Sequence, residues 1–216
     1  MNHGVLFEVN GIPKHSLDHF NLFLGDVEIP FPAPKTNYLK KEGGNGTIDN
    51  TEVFGKVFYD DRKFSLKFTC KDEVRYTEAL SDIVNFLHGR EVKMIFYFDD
   101  LYYYKGRLSI NKYTSSKAMG TMTFDVVTEP YKYHQLETIA RNEVKEKAVI
   151  NYTNDRMEVV PIFKATSSMT FEFKGNSYAL GTTETIFPNI EFTQGDNVIV
   201  WHGNGIVEVR YQEGRL

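Results

Sequence analysis

Residues 64–70 read Phe64-Ser-Leu-Lys-Phe-Thr-Cys70, and their apolar and polar side chains alternate without exception. A period of two over this stretch predicts a β-strand with one buried and one solvated face. The next stretch has another period, because apolar residues recur every three or four positions between Glu73 and His88. That spacing predicts an amphipathic helix, with Asp72 as its N-cap and Gly89 just beyond its last turn.

Strand patterns continue after the helix and change character near residue 134. Several segments between the helix and Pro130 have strand periodicity, and after Tyr133 short strands alternate with turn signals roughly every eight to twelve residues. The sequence therefore predicts a mainly β protein. Residues 1–133 form an α+β N-terminal domain, in which one main helix packs on antiparallel sheets. Residues 134–216 form a β-sandwich.

Turn chemistry adds three local predictions. The segment Lys40–Asn50 is rich in glycine and polar residues, which predicts an exposed loop. The segment Ile29–Pro34 alternates proline with apolar residues, which predicts an extended piece at the edge of a sheet. Near the C-terminus, Asn204-Gly205 favours a type I′ turn between strands at 197–202 and 206–211.

Composition excludes several classes of protein. The chain has 216 residues, of which 41% are hydrophobic and 25% charged, and this is typical of globular proteins. The formal net charge of −4 provides no electrostatic attraction to nucleic acid or to an anionic membrane. No apolar stretch approaches about 18 residues, so we expect no membrane insertion. A single cysteine and an N-terminus without a signal-peptide pattern predict synthesis and folding in a reducing cytoplasm.

No motif amounts to an active site. The segment His15–His19 contains three potential metal ligands, but no second ligand pair follows at the spacing of a metal site. The pairs Asp60-Asp61 and Asp99-Asp100 fall at predicted turns, where carboxylates are common for conformational reasons. The single cysteine, Cys70, lies on the apolar face of its strand and is predicted to be inert. The sequence therefore predicts no catalytic residue, no metal and no cofactor.

Four side chains are candidates for a glycan-binding or partner-binding surface. Trp201, His202 and Tyr178 would form a stacking patch in the second domain, since an indole face suits the C–H groups of a sugar. Alternation along 102–104 places Tyr103 on the opposite face from its two tyrosine neighbours. Each candidate has a structural alternative: Trp201 follows Val200 in a predicted hairpin strand, which favours burial in the core, and a tyrosine hydroxyl also suits a sheet rim.

A series of short motifs occurs in a fixed order along nearly the whole chain. They are Ile29-Pro-Phe-Pro-Ala-Pro-Lys-Thr-Asn-Tyr38, Gly44-Asn-Gly-Thr-Ile-Asp-Asn-Thr-Glu52, Phe54-Gly55, Val57-Phe-Tyr-Asp-Asp-Arg62, Leu87-His-Gly-Arg90, Tyr104-Lys-Gly-Arg107, Glu129-Pro-Tyr-Lys-Tyr133 and Val209-Arg-Tyr-Gln-Glu-Gly-Arg-Leu216. In this order the sequence resembles the distal tail protein (Dit) family of long-tailed phages that infect Gram-positive bacteria.

The resemblance implies a structural protein without catalysis. In that family six copies form a ring at the tip of the tail tube, built by the N-terminal domains, while galectin-like C-terminal domains project outward. The implied partners are further copies of the chain, the tail tube protein, the tail-associated hub protein, and receptor-binding or baseplate proteins. DNA passes the lumen without specific binding, and the implied location is the virion tail tip.

The resemblance also implies an inter-subunit clasp, because an extended segment in such rings holds the neighbouring subunit. The loop supplies the candidates, which are Lys41, Glu42, Gly43, Gly44, Asn45, Gly46 and Thr47. Two alternatives remain: a cell-wall glycan-binding module, which needs an exposed face on Trp201, and a component of a glycan hydrolase.

Overall fold

The computed structural model describes residues 4–70, 73–115 and 119–216, and for 73–75 it describes the backbone alone. The chain is mainly β with antiparallel strands, as the sequence predicts. It divides into two compact units, Met1–Lys132 and Tyr133–Leu216. The predicted N-cap Asp72 lies outside the described residues.

The first unit contains two helices and a twisted antiparallel sheet. Its elements are β1 (Val5–Val9), β2 (Ile12–His15), α1 (Ser16–Phe20), β3 (Phe23–Leu24), β4 (Tyr38–Lys40), β5 (Thr47–Asp49), β6 (Arg62–Cys70), α2 (Glu73–Leu87), β7 (Glu91–Phe96), β8 (Tyr102–Ser115) and β9 (Gly120–His134). In the main sheet the strands follow the order β2-β1-β7-β8-β9-β6-β3. The strands β4 and β5 lie outside it and pair only with each other among the described residues.

The core of the first unit lies between one face of this sheet and α2. Along β6 every second residue is buried, and Cys70 at its end has no exposed surface. From α2, Tyr76, Ile83 and Leu87 are buried against the same cluster. Gly89 follows the helix with a φ of 73°, a left-handed conformation that glycine adopts without strain. The predicted alternation, helix and helix end are therefore confirmed.

The second unit is built from strands alone among the described residues. They are β10 (Thr138–Asn154), β11 (Ile162–Ala165), β12 (Met169–Phe173), β13 (Asn176–Leu180), β14 (Thr185–Ile186), β15 (Gly195–Tyr211) and β16 (Gly214–Arg215). The strand β15 is central: β10 pairs with its whole length on one edge, while β11 and β12 pair with its two halves on the other. The strands β14 and β13 extend these two halves.

A sharp bend in β15 folds this sheet over its own core. Phe163 is opposite Val209 of β15, and Phe171 is opposite Trp201, eight positions away along the same strand. A straight strand would separate these positions by about 27 Å. The rings of Phe163 and Phe171 are nevertheless stacked at 5.1 Å between centroids. The two halves of β15 therefore belong to two facing layers, as in sandwiches whose strands change sheets at a corner.

The predicted hairpin at Asn204-Gly205 is wrong, because β15 runs through these residues without reversing. The residues form the corner instead. Gly203 and Gly205 have φ values of 136° and 146°, and Glu146 opposite Gly203 has a φ of 62°. The amide of Glu146 donates a hydrogen bond to Oδ1 of Asn204 at 3.0 Å. The conformational freedom that a tight turn requires is thus used to bend a long strand.

The predicted loop at Lys40–Asn50 is also wrong in part, because its two ends are strands. In the hairpin of β4 and β5, Tyr38 pairs with Asp49 and Lys40 with Thr47. The residues between Lys40 and Thr47 form the turn and are exposed, as the sequence predicts.

Candidate functional site

The chain leaves the main sheet of the first unit after β3 and rejoins it at β6, and we call residues 31–61 between them the arm. Its two sides pair along much of their length. The amide of Lys35 donates to the carbonyl of Phe58 at 2.8 Å, and the amide of Asp60 donates to that of Ala33 at 2.9 Å. The hairpin of β4 and β5 continues this pairing to the tip. The arm is therefore a two-stranded element with its own hydrogen bonds.

The arm has almost no buried surface. Pro32 is its single buried residue, and none of its residues belongs to the core of the first unit. It carries seven exposed large hydrophobic side chains, namely Phe31, Tyr38, Leu39, Ile48, Val53, Phe54 and Phe58. Phe31 is 82% exposed and Phe54 is 80% exposed. Concentrated exposed apolar surface is typical of interaction sites, which makes the arm the candidate site in the first unit.

A buried arginine holds together the two ends of the arm, where the chain enters it at Pro30 and leaves it at Arg62. We call this place the root of the arm. Arg62, at the start of β6, is only 3% exposed. Its Nε donates to the carbonyl of Pro130 at 2.8 Å, and its Nη1 donates to that of Pro30 at 3.3 Å. The guanidinium also lies over the ring of Tyr104, 5.6 Å from its centroid. Arg62 therefore joins the entry of the arm, its exit and the end of β9 through one side chain.

Arg62 lies near other polar side chains that are partly shielded from water. Burial lowers the pKa of the Arg62 guanidinium. Burial also raises the pKa of Tyr104, whose hydroxyl donates to Oδ2 of Asp99 at 3.1 Å. The ammonium of Lys132 donates to the same carboxylate oxygen at 2.8 Å. Nε and Nη1 of Arg62 thus have acceptors, while its Nη2 is buried without a hydrogen-bond partner among the described residues. The two bonds offset part of the cost of burying the charge and hold the two ends of the arm together.

The predicted clasp residues lie at the tip of the arm. Lys41–Thr47 are all exposed, and Gly43 and Gly46 have φ values of 71° and 83° with open space around them. At the other end of β5, hydrogen bonds from the side chain and amide of Thr51 lower the pKa of Asp49. The tip is therefore accessible to a second molecule. Its role as a clasp stays a prediction.

Two of the four candidates for a glycan or partner surface, Trp201 and Tyr178, lie in or against the core of the second unit. Trp201 has no exposed surface, and its Nε1 donates to the hydroxyl of Tyr152 at 3.2 Å. Tyr178 is half-buried and stacks on Phe171, with 5.1 Å between centroids. Trp201 therefore lies in the core of the second unit, as the alternative of a buried, structural tryptophan predicts.

The other two candidates lie on different units. His202, on β15, has its Nε2 3.4 Å from Oε1 of Glu172, and Tyr103, on β8 of the first unit, lies under the ammonium of Lys93 at 5.1 Å. Both side chains are half-buried. A partner-binding role for either stays a prediction.

Among the described residues, no group of three or more His, Cys, Asp and Glu side chains is arranged to hold a metal ion. In the same part of the chain, no helix combines the length and the apolar character needed to span a bilayer.

A mainly β first unit with a self-paired exposed arm, followed by an all-β second unit, defines the class of fold. No known family model matches the sequence, and no curated protein matches it either. Among solved structures, the chain is similar to the Dit protein (gp 19.1) of SPP1, which is described as a paradigm of the hub adsorption apparatus in phages infecting Gram-positive bacteria. The TM-score is 0.66 at 11% sequence identity, over 98% of this chain and 99% of that one. The chain therefore has the Dit fold along its length, and the predicted resemblance is confirmed for the fold.

The glycine-rich sequence marks the tip of the arm, but it does not reveal the exposed apolar side chains on the arm's two sides. The apolar side chains on the two strands flank the glycine-rich turn, and short segments such as Tyr38–Lys40 are too brief to reveal a strand pattern. A usable signal was present in the arm's aromatic residues, since Phe31, Phe54 and Phe58 lie among prolines, glycines and charges without a period of two or 3.6. A segment without either period has no predicted face that a sheet or a helix would bury.

Proposed function

We propose that this protein is a structural component of a phage tail tip, in which copies of the chain assemble into a hexameric ring. The N-terminal units build the ring, and the second units, galectin-like sandwiches, project from it. The ring joins the tail tube protein to the tail-associated hub and to receptor-binding or baseplate proteins. DNA passes through its lumen without specific binding. The protein is made and assembled in the host cytoplasm and resides in the virion.

The observation that carries this proposal is the arm. Residues 31–61 present seven large hydrophobic side chains to solvent and contribute nothing to the core of their own unit. A monomer gains no stability from such an element, whereas a subunit of a ring buries it against its neighbour. The Dit fold over nearly the whole chain supports the same role, since the protein with which it is shared is a hub component.

The net charge of the chain leads to a hypothesis about the lumen of the proposed ring. The formal net charge is −4 per chain, so a six-membered ring is acidic as a whole. Acidic walls repel DNA phosphates, which favours passage over binding. A measured ring whose lumen is basic would contradict this part of the proposal.

Images of the purified protein test the proposal directly. We expect native mass spectrometry and negative-stain images at high protein concentration to reveal six-fold assemblies. Deleting residues 42–47 should reduce these assemblies while the melting temperature of the monomer stays nearly constant, because an exposed turn contributes little to a core. A chain that stays monomeric even with its tube and hub partners present would refute the ring.

A further inference from the structure

The dipeptide Asn-Gly occurs three times in the chain, at Asn10-Gly11, Asn45-Gly46 and Asn204-Gly205. In this dipeptide an asparagine loses its side-chain amide most readily, because glycine has no side chain to shield the peptide nitrogen that follows the asparagine. The reaction also requires a backbone that can rotate this nitrogen towards Cγ of the asparagine. The fold restricts that rotation differently at the three places.

Asn45-Gly46 lies in the turn between β4 and β5, where both residues are exposed. In this turn the amide of Gly44 donates to the carbonyl of Lys41, but the distance of 3.5 Å makes this a weak hydrogen bond. Neither Asn45 nor Gly46 has a hydrogen-bond partner among the described residues. A Cβ at Gly46 would meet nothing within 4 Å. The peptide nitrogen of Gly46 is therefore free to approach the side-chain amide of Asn45.

Asn10-Gly11 is held in a tight turn. It joins β1 to β2, and the residues on either side of it, Val9 and Ile12, are paired. Asn10 and Gly11 have φ values of 51° and 78°, as in a type I′ turn. In this left-handed region ψ is about +47°, which places the peptide nitrogen of the glycine nearly trans to Cβ of the asparagine. Cγ of Asn10 therefore lies out of reach of that nitrogen while the hairpin is paired.

Asn204-Gly205 belongs to the corner of β15, where hydrogen bonds hold both its side chain and its backbone. Oδ1 of Asn204 accepts a hydrogen bond from the amide of Glu146 at 3.0 Å, and the carbonyl oxygen of Asn204 accepts one from the hydroxyl of Ser167. Gly205 is paired with Val144 of β10. Attack by the nitrogen of Gly205 therefore requires the strand to open at the corner first.

We propose that Asn45 is a site of spontaneous deamidation in the folded protein, and that the fold protects Asn10 and Asn204. The nitrogen of Gly46 attacks Cγ of Asn45 and forms a C–N bond, while the side-chain amide nitrogen takes up the proton that it loses and leaves as ammonia. Water then adds to one of the two carbonyl carbons of the resulting succinimide and opens the ring to aspartate or isoaspartate. Either product adds one negative charge to the turn. The inference concerns the single chain and does not depend on the proposed ring.

Mass spectrometry of the full-length protein compares the three sites directly. The protein is incubated in mildly alkaline buffer made with heavy-oxygen water, which labels each carboxylate formed during the incubation, and is then digested at acidic pH. We expect Asn45 to convert at least about tenfold faster than Asn10 and Asn204, because a protected site reacts only from its open population. In urea that unfolds the chain, the three rates should become similar. Equal rates in the folded protein, or an Asn45 that reacts only in urea, would overturn the proposal.

Substitutions identify the attacking nitrogen and the protecting bond. Asn45→Gln should abolish the conversion, because the longer side chain needs a six-membered ring, and Gly46→Ala should slow it, because a methyl group shields the nitrogen. Gly44→Ala is the matched control in the same turn, where a Cβ makes only an ordinary contact, and should leave the rate unchanged. Ser167→Ala removes a bond to the carbonyl of Asn204 and should accelerate conversion at Asn204 alone. A Gly44→Ala protein that slows as much as Gly46→Ala would refute the attack by Gly46.

Discussion

The arm and the second unit place their aromatic side chains in opposite environments. In the second unit Phe163, Phe171 and Trp201 have no exposed surface, and their rings pack at 4.8 to 6.2 Å between centroids. In the arm Phe31 and Phe54 are each exposed by four-fifths or more. The second unit therefore buries these three aromatic side chains within one chain, whereas the arm leaves Phe31 and Phe54 exposed. The same residue type stabilises the fold in one region and, in the proposed ring, would stabilise the assembly in the other.

We expect the largest loss of stability from a substitution in the core of the second unit. Trp201→Ala removes a fully buried indole and should lower the free energy of unfolding of the second unit by about 3–5 kcal/mol. The loss should be visible in thermal melting followed by circular dichroism. Tyr178→Ala, at a half-buried position, is the milder control. A Trp201→Ala protein that melts normally but no longer binds cell wall would instead support the glycan-binding alternative.

The next substitution removes the side-chain hydrogen bonds by which Arg62 holds the two ends of the arm together. Arg62→Ala leaves the carbonyls of Pro30 and Pro130 without their donor, and we expect a loss of about 2–4 kcal/mol. Amide hydrogen exchange at Lys35 and Asp60 should accelerate, because the root no longer holds the ladder. Lys63→Ala, next along the strand and exposed, should have neither effect. Unchanged exchange in Arg62→Ala would mean that the ladder is stable without its root.

The corner of β15 should tolerate side chains poorly. A Cβ at Gly203 would lie 2.7 Å from Cβ of Met169, and the φ of 136° is unfavourable for other residues. Gly203→Ala should therefore destabilise the second unit by about 1–3 kcal/mol. The fluorescence of Trp201 during urea unfolding measures this loss. Gly181→Ala, which meets nothing within 4 Å, should leave the midpoint near that of the wild type.

Alkaline pH should weaken the second unit through its buried tyrosines. Burial, with a smaller effect of Glu213, raises the pKa of Tyr211 to about 12, and burial also raises the pKa of Tyr152. Below about pH 10 both phenols are protonated in the folded and unfolded chain, so their contribution to stability is complete. Between pH 10 and 12 only the unfolded chain ionises, and stability falls.

Urea midpoints measured by Trp201 fluorescence from pH 8 upward follow this loss. In Tyr211→Phe the alkaline decline should be shallower. A wild-type midpoint that stays constant above pH 10 would contradict the raised pKa values.

The smallest effect on stability is expected in the arm. Phe31→Ser and Phe54→Ser change exposed side chains, so each should alter the free energy of unfolding by no more than about 0.5 kcal/mol. Their combination should nevertheless reduce ring formation, which native mass spectrometry measures. Phe171→Ser provides the opposite control, because it removes a buried ring and should unfold the second unit. A large drop in the melting temperature of the arm variant would mean that the aromatic residues of the arm also stabilise the fold of the single chain.

Local sequence patterns predict those helices and strands whose conformation depends mainly on their own residues. The alternation of Phe64–Cys70 and the helical stripe after it are decided within about 25 residues, and both are confirmed. The corner at Asn204-Gly205 depends instead on β11 and β12, which bind different halves of the same strand. The Asn-Gly sequence indicates only that a residue there adopts an unusual φ. Whether the chain reverses or bends is decided by distant partners.

The candidate site was predictable to a similar degree. Glycines and lysines marked the tip of the arm as exposed, because their chemistry is local. The joining of the arm's two ends is not visible in the sequence, since Pro30 and Pro130 become neighbours only through Arg62. Burial of Trp201 was the favoured alternative from its neighbours alone, but its hydrogen bond to Tyr152 joins residues 49 positions apart.

The strand β15 has a consequence for folding. It pairs along its full length with β10, while each of its halves supports a different layer. Neither layer can therefore lose its central strand while the other keeps it intact. The second unit should denature as one cooperative step, and it should fold slowly for its size, since nearly all its pairings join residues far apart in sequence. Only four residues, 203–206, separate the segments of β15 that pair with β12 and with β11, so the two layers share one continuous strand across the corner.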